Sequence, residues 1–351
     1  MRWELSAEQQ EFQSVLRDWL ARRCPSSRVR AWLDSGDPAE FEQDFAAEGW
    51  SAVGSPEALG GQGGDLIELA LVAEELGRCA APSSAWLGSV LAVPVLASTP
   101  DVAKELLADN VTTVPVVSCD GPPAGHALVE SGHGITGSVR AVLGADRATR
   151  LLVPVRNSGF VLVDTESAGV VVRRRQPTDR SRSVADVELA AVQGTAVDAE
   201  VGVLADMASR AAVLISADAL GVAERLLAMT VEYSLQRKQF GVPIGSFQAV
   251  KHAAAEMLVT VEAARSIVYM AAASVQAGHP EAALRAAAAK AQVTARVSAL
   301  ADTALTLHGA IGYTWEHDLQ LYFKRAKLTE RLFGSPSTWN ERIATELALV
   351  P

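Results

Sequence analysis

The chain predicts an α+β fold that is mostly α, with an N-terminal helical domain, a small middle β-barrel or sandwich, and a C-terminal four-helix bundle. Three observations carry that expectation. Only 5% of the 351 residues are aromatic while Ala, Leu and Val abound, which suits closely packed helices better than a large sandwich. Short β-branched runs are confined to the middle of the chain. On either side, apolar residues return at three-and-four spacing. The boundaries read as 1–111, 112–197 and 198–351.

Taken in order, Ser6 to Gln9 has the form of a capping box, and Phe12, Val15, Leu16, Trp19 and Leu20 then keep the spacing of a buried helical stripe. The glycine run Gly54 to Gly64 interrupts the pattern and reads as a loop, since no clear strand precedes it to make a phosphate cradle. Leu66 to Leu76 and Ala85 to Leu96 read as buried helices. In the middle, Val114–Val117, Leu151–Val155, Phe160–Val163 and Val170–Arg173 are strand-like runs parted by turn residues, which predicts a small antiparallel β domain. Beyond it, Val201–Gln236, Ser246–Gln276, Pro280–Leu307 and Leu319–Leu332 are four long helical segments, followed by a short one at Ser337–Leu347.

Between the first two of those segments the pattern breaks sharply. Val213, Leu214, Leu220, Ala223, Leu227 and Val231 form one stripe, and Gly241 and Pro243 stop it. At the stop stand Arg237, Lys238, Gln239 and Phe240, which places two cations and an aromatic ring at a helix C-terminus, where the dipole favours positive charge. By residue type this is either a solvated helix end or a binding corner.

Composition excludes some classes of function. A formal charge of −10 argues against nonspecific nucleic-acid binding, which needs net or clustered positive charge. Cys24, Cys79 and Cys119 lie far apart without C-x-x-C spacing, so neither a disulfide framework nor a zinc site is indicated, and no metal is expected. MRWELSAEQQEF lacks the apolar core of a signal peptide, and no stretch reads as long and apolar enough to span a bilayer, so a cytoplasmic location without membrane partners is the expectation.

Several blocks share one resemblance. Arg237-Lys-Gln-Phe-Gly-Val-Pro-Ile, Pro56-Glu-Ala-Leu-Gly-Gly-Gln-Gly63, Glu74-Glu-Leu-Gly77 and Leu307-His-Gly-Ala-Ile-Gly-Tyr313 resemble, in order and spacing, the motifs of the acyl-CoA dehydrogenase family. The resemblance implies that family's fold, an FAD cofactor, an acyl-CoA substrate and an electron-transfer flavoprotein or similar acceptor. It also implies that FAD lies between two subunits, one offering its β domain to the flavin ring and the other holding the diphosphate and adenosine. On this chain the second role falls to Arg237, Gln239, Phe240 and Gly241 at the corner and to Thr306, His308, Gly309 and Gly312 at the glycine turn, with Thr306 standing where most members carry glutamine. In the β domain, Cys119 to Gly125 replaces the family's Gly-Ser-Asp segment and Leu143 stands where a Thr or Ser hydroxyl is usual.

The resemblance also marks two positions for the catalytic glutamate, and this chain has Phe333 at one and Ala211 at the other. Neither side chain takes a proton. Glu330 and Asp206 lie near these positions in sequence and read as solvated helix residues; His317 reads as a cap or interface residue and His252 as packing near the corner. Three functions stay open at this level. The chain resembles the base-lacking subunit of actinobacterial α2β2 dehydrogenases of the sterol side-chain type, whose paralogous partner supplies the glutamate. Alternatively it is a self-sufficient homo-oligomer with another base, or a scaffold of the same fold without catalysis.

Overall fold

The computed structural model describes residues 4–108, 111–125, 128–155 and 159–347. The chain forms helices α1 (Ala7–Arg23), α2 (Ser26–Ser35), α3 (Ala39–Ala47), α4 (Leu66–Arg78), α5 (Ser84–Leu96) and α6 (Pro100–Ala108). Strands β1 (Thr113–Pro115), β2 (Val129–Ser131), β3 (Gly134–Leu143), β4 (Arg150–Val155), β5 (Gly159–Asp164), β6 (Val170–Arg174), β7 (Val184–Val192) and β8 (Thr195–Val197) follow. Then come α7 (Val203–Gln236), a hairpin of β9 (Lys238–Gln239) and β10 (Val242–Pro243), and α8 (Gln248–Gln276), α9 (Ala282–His308), α10 (Leu319–Thr329) and α11 (Pro336–Glu346). By internal contacts the chain divides into two compact units, one comprising the chain up to Ala31, Ala70–Ala81 and everything from Ala212, the other Trp32–Leu69 and Pro82–Ala211.

In the first unit α1 begins on the expected capping box: Gln9 N donates to Ser6 Oγ at 3.2 Å and Ser6 N to Gln9 Oε1 at 3.0 Å. Helices α4 and α7 meet through glycine. A Cβ on Gly221 would lie 1.8 Å from the carbonyl oxygen of Glu74, and one on Gly77 would lie 2.1 Å from that of Asp218, so only glycine lets the two backbones touch. Beside this crossing, Arg325 of α10 is wholly buried, with Nη2 donating to Asp218 Oδ2 at 2.5 Å and Nη1 to Ala81 O at 2.7 Å. Helix α8 is long and apolar enough to cross a membrane, contrary to the expectation from sequence. Its stripe Met257, Val261, Ala264, Val268 and Ala272 is instead buried in the bundle, where α8 packs along α9.

In the second unit the strands form two four-stranded sheets, ordered β1-β4-β5-β8 and β2-β3-β7-β6. Val114, Val139, Val142, Leu151, Val153, Val163, Val187 and other apolar side chains pack together as their shared core. The predicted purely antiparallel arrangement needs correction, because β1 pairs with β4 in parallel. Parallel neighbours require a crossover, and the chain between these two strands is long enough to supply one through β2 and β3. The glycine run is the loop that was expected. Its amides at Gly54, Gly61 and Gly63 bond carbonyls of the same loop and that of Gln62 bonds Ala52 O just before it, which leaves all four unavailable to a phosphate.

Candidate cofactor-binding corner

Helix α7 ends one residue before the cations, with Arg237 N bonded to Tyr233 O at 2.8 Å. The chain then reverses through the β9–β10 hairpin, whose two-residue tip is Phe240 and Gly241. Both have positive φ, 54° and 84°, the geometry of a tight hairpin turn. Glycine adopts it freely; phenylalanine does so under strain. Phe240 is 94% exposed, touching Phe247 edge-on at 6.1 Å. Arg237, Lys238 and Gln239 are exposed too, and among the described residues Arg237 makes no ion pair. The strained and exposed apolar tip is costly on a free surface and suited to one that is covered, and an open guanidinium stands beside it.

The glycine turn lies next to it. Helix α9 ends at His308, and Gly309 takes φ 64° and ψ −144°, a conformation open essentially to glycine alone. Gly312 is packed tightly enough that a Cβ would come within 2.9 Å of Leu305 and Leu319. Thr306 is exposed and turns its hydroxyl back to Asp302 O at 2.8 Å. His308 is buried, with Nδ1 2.8 Å from Ala304 O. A carbonyl only accepts, so Nδ1 carries the proton and Nε2 is left as a buried acceptor with no hydrogen-bond partner. Burial holds the His308 pKa below its ordinary value, the Ala304 bond opposes this, and His317 reinforces it, so the ring stays neutral.

Tyr233 joins the two segments. Its ring stacks on His308 at 4.6 Å and 19°, while His317 meets His308 edge-on at 5.0 Å. The last turn of α7, which carries the Arg237 corner, is thus fastened to the turn that carries Gly309. His317 Nδ1 accepts the first amide of α10, from Leu319 at 3.1 Å, which makes it a helix cap.

The two positions where a base was sought are both buried and apolar. Ala211 is fully buried within α7, and Phe333 is 1% exposed. The turn carrying Phe333 is fixed by Trp339, whose Nε1 donates to Phe333 O at 2.8 Å, and by Lys290, whose Nζ donates to Thr329, Glu330 and Gly334 carbonyls at 3.3, 3.1 and 2.9 Å. Glu330 accepts from Ser298 Oγ at 3.0 Å and Asp206 pairs with Arg210 at 2.9 Å, so both neighbouring carboxylates are engaged locally. In the β sheets, Leu143 is 3% exposed, and Ala141 sits at φ 54° in a bulge of β3 with its N–H bonded to Asp186 Oδ1 at 2.9 Å.

The Glu74-Glu-Leu-Gly77 block holds a carboxyl whose burial its sequence did not signal. Glu74 is completely buried on α4, accepting from Tyr269 OH at 2.8 Å, Gln13 Nε2 at 3.1 Å and Arg265 Nη1 at 3.3 Å. Arg265 is committed more closely to Glu224, at 2.5 Å. Burial first, then the charge of Glu224, pushes the Glu74 carboxyl up to about 8. The folded protein therefore holds a proton that the unfolded chain releases near the ordinary glutamate value, and stability from this group is full below about pH 4.5 and is lost as pH rises through about 8. Glu74→Gln, which keeps an acceptor for Gln13 and Arg265, is expected to remove this decline, worth up to about 1.4 kcal/mol per pH unit in the window. Urea melts at intervals from pH 5 to pH 8 measure it.

A helical bundle bearing this corner, with two four-stranded sheets and long terminal helices, defines the class. Residues 6–111 match the acyl-CoA dehydrogenase N-terminal domain and residues 202–347 the acyl-CoA dehydrogenase C-terminal domain. The chain belongs to the acyl-CoA dehydrogenase family. It is 32% identical over 345 residues to the acyl-CoA dehydrogenase IpdE2 of Mycobacterium tuberculosis, covering 97% of each. Among solved structures it is similar to a chain of the ChsE4-ChsE5 complex from Mycobacterium tuberculosis, with 28% identity and a TM-score of 0.87 over 100% of both chains. A variant of the Tcur3481-Tcur3483 steroid ACAD matches with 26% identity and a TM-score of 0.87, covering 97% of this chain and 98% of that one.

Proposed function

We propose that this chain is one subunit of a cytoplasmic, FAD-dependent acyl-CoA dehydrogenase, in which it holds the diphosphate and adenosine of FAD while a paralogous subunit supplies the catalytic glutamate. Residues 1–111, 112–197 and 198–351 are its three domains. The observation that carries the reading is the pairing of an exposed cation and aromatic corner with apolar side chains at both base positions. Arg237 presents a planar fork matched to a diphosphate, Phe240 and Gln239 flank it, and Gly241 and Gly309 keep the backbone open for close approach, while Gly312 lets the turn pack down on Leu305 and Leu319. At the glycine turn, Gly309 and Thr306 are exposed positions open to the adenosine half, with His308 buried behind them. FAD, when bound, supplies the two-electron acceptor for α,β-dehydrogenation of a CoA thioester, and an electron-transfer flavoprotein or similar acceptor takes the electrons onward.

The partner subunit is favoured over a self-sufficient enzyme because Ala211 and Phe333 leave no carboxylate at either position. Apolar exposure points the same way: Leu235, Phe240, Phe247, Leu258 and Val259 are all open at the end of α7, the hairpin and the first half of α8. The similar chains from the ChsE4-ChsE5 complex and the Tcur3481-Tcur3483 steroid ACAD support a paired assembly, and the second of them supports a steroid-like acyl group. Co-expression with a paralogue that carries the glutamate, followed by flavin absorbance and an acceptor-dye assay, tests this. Flavin and turnover are expected in the complex and not in the isolated chain. Equal flavin loading and turnover by the chain alone would overturn it.

A further inference from the structure

Away from the corner, the first unit holds a cavity of about 230 Å³ whose lining includes Arg17, Cys24, Arg78, Cys79, Arg225 and Tyr322. Two cysteines 55 positions apart thereby face one space. Both stand where helices stop: Cys24 caps α1, its N–H bonded to Leu20 O at 2.7 Å, and Cys79 follows the last residue of α4, its Sγ donating to Glu75 O at 3.3 Å. Cys24 is 4% exposed while Cys79 is only half-buried. The neighbouring Cys79 thiol, and after it burial, pushes the Cys24 thiol up. The two sulfurs differ in access, since solvent reaches Cys79 and hardly reaches Cys24.

We propose that Cys24 and Cys79 are an oxidisable pair, in which a peroxide entering the arginine-lined cavity attacks at Cys79 and Cys24 closes an intramolecular disulfide. The Cys79 sulfur displaces one peroxide oxygen; the O–O bond breaks, and the departing hydroxide takes up the thiol proton as water, leaving a sulfenic acid. The Cys24 sulfur then attacks the Cys79 sulfur, the S–O bond breaks, and hydroxide leaves with the Cys24 proton as a second water. Two thiols and one hydrogen peroxide become one disulfide and two waters, the two electrons lost by sulfur having reduced the peroxide. Arg225 lines the same cavity and lends it positive charge, which favours charge building on sulfur and on the leaving hydroxide, while Arg78 is drawn to Glu75 and Glu224 at 3.8 and 3.9 Å. Arg17 is held away from this task by Glu75, at 2.9 and 2.6 Å. The bond ties the end of α1 to the end of α4 and closes the intervening chain into a loop, which lowers the entropy of the unfolded state.

Cys119 supplies the internal control. It is 4% exposed in the β-sheet unit, and burial pushes its thiol up to about 12. The full chain is treated with hydrogen peroxide under native conditions, free thiols are alkylated, and peptides are mapped by mass. The expected result is a linked peptide joining residues 24 and 79, two hydrogens lighter than its parts, with Cys119 alkylated only after denaturation. A rise of a few degrees in Tm, reversed by a dithiol reductant, accompanies it. In Cys24→Ser the same treatment leaves Cys79 as sulfenic or higher oxide, and in Cys79→Ser the Tm shift is absent. Peroxide that leaves both thiols free, or drives Cys79 to sulfinic acid beside a free Cys24 in the unaltered chain, overturns the pairing whether or not either variant folds.

Discussion

Replacing Arg325 with methionine is expected to lower the unfolding free energy by about 3–5 kcal/mol, the cost of stranding a buried charge. The guanidinium has no exposed surface; Asp218 is 4% exposed, bonded at 2.5 and 3.1 Å, and Thr329 contributes a third contact to the same carboxylate only at 3.5 Å. Methionine fills much of the space but satisfies neither Asp218 nor the carbonyl of Ala81, which accepts from Arg325 at 2.7 Å. The loss is transmitted to the α4–α7 crossing, because Asp218 lies one turn from Gly221 and its carbonyl packs against Gly77. Asp218→Leu combined with Arg325→Met removes both charges, and that double variant is expected to regain most of the loss, since the charge pair itself is worth little against well-packed apolar groups. Urea denaturation of the three proteins measures both effects. A single variant within about 1 kcal/mol of the parent would show that Asp218 finds water or another cation.

Helices were legible in the sequence and much of the sheet was not, for reasons that lie in particular residues. The stripe Val213, Leu214, Leu220 and Ala223 has one period over many turns, so it survives as a signal, and the segment proved to be the buried length of α7. Strands β3 and β7 are long but carry Gly134, Gly137, Ala141, Ala185, Ala190 and Ala191, and small residues dilute the β-branched pattern that marked β4 and β5. The parallel pairing of β1 with β4 left no trace at all, because the direction of a neighbour is set by the path of the chain between them and not by either strand's composition. At the corner, the motifs located Arg237 and Gly309 separately, whereas the stack of Tyr233 on His308 that joins them is a contact across 75 positions. The same distance problem hid the neighbouring thiols of Cys24 and Cys79, and it hid the burial of Glu74, which adjacent Glu75 disguises as part of an ordinary charged helix face.

In the assembled complex, Arg237→Ala is expected to weaken FAD binding about thirtyfold, which corresponds to about 2 kcal/mol for one charge-assisted contact to a diphosphate. In the chain itself the Arg237 side chain is exposed and no carboxylate among the described residues pairs with it, so its removal leaves nothing unsatisfied. Stability of the isolated chain should therefore stay within about 0.5 kcal/mol of the parent. Arg237→Lys restores the charge without the two-pronged geometry, so it should recover part of the affinity and leave the remainder as the contribution of the fork. The salt dependence of binding separates the two terms, since the charge contribution shrinks as ionic strength rises and the contribution of geometry persists. Titration of the apo-complex with FAD, followed by flavin fluorescence at two salt concentrations, yields both. Undiminished affinity in Arg237→Ala would mean that the strained Phe240 tip and its open guanidinium face a protein surface, with the diphosphate held elsewhere.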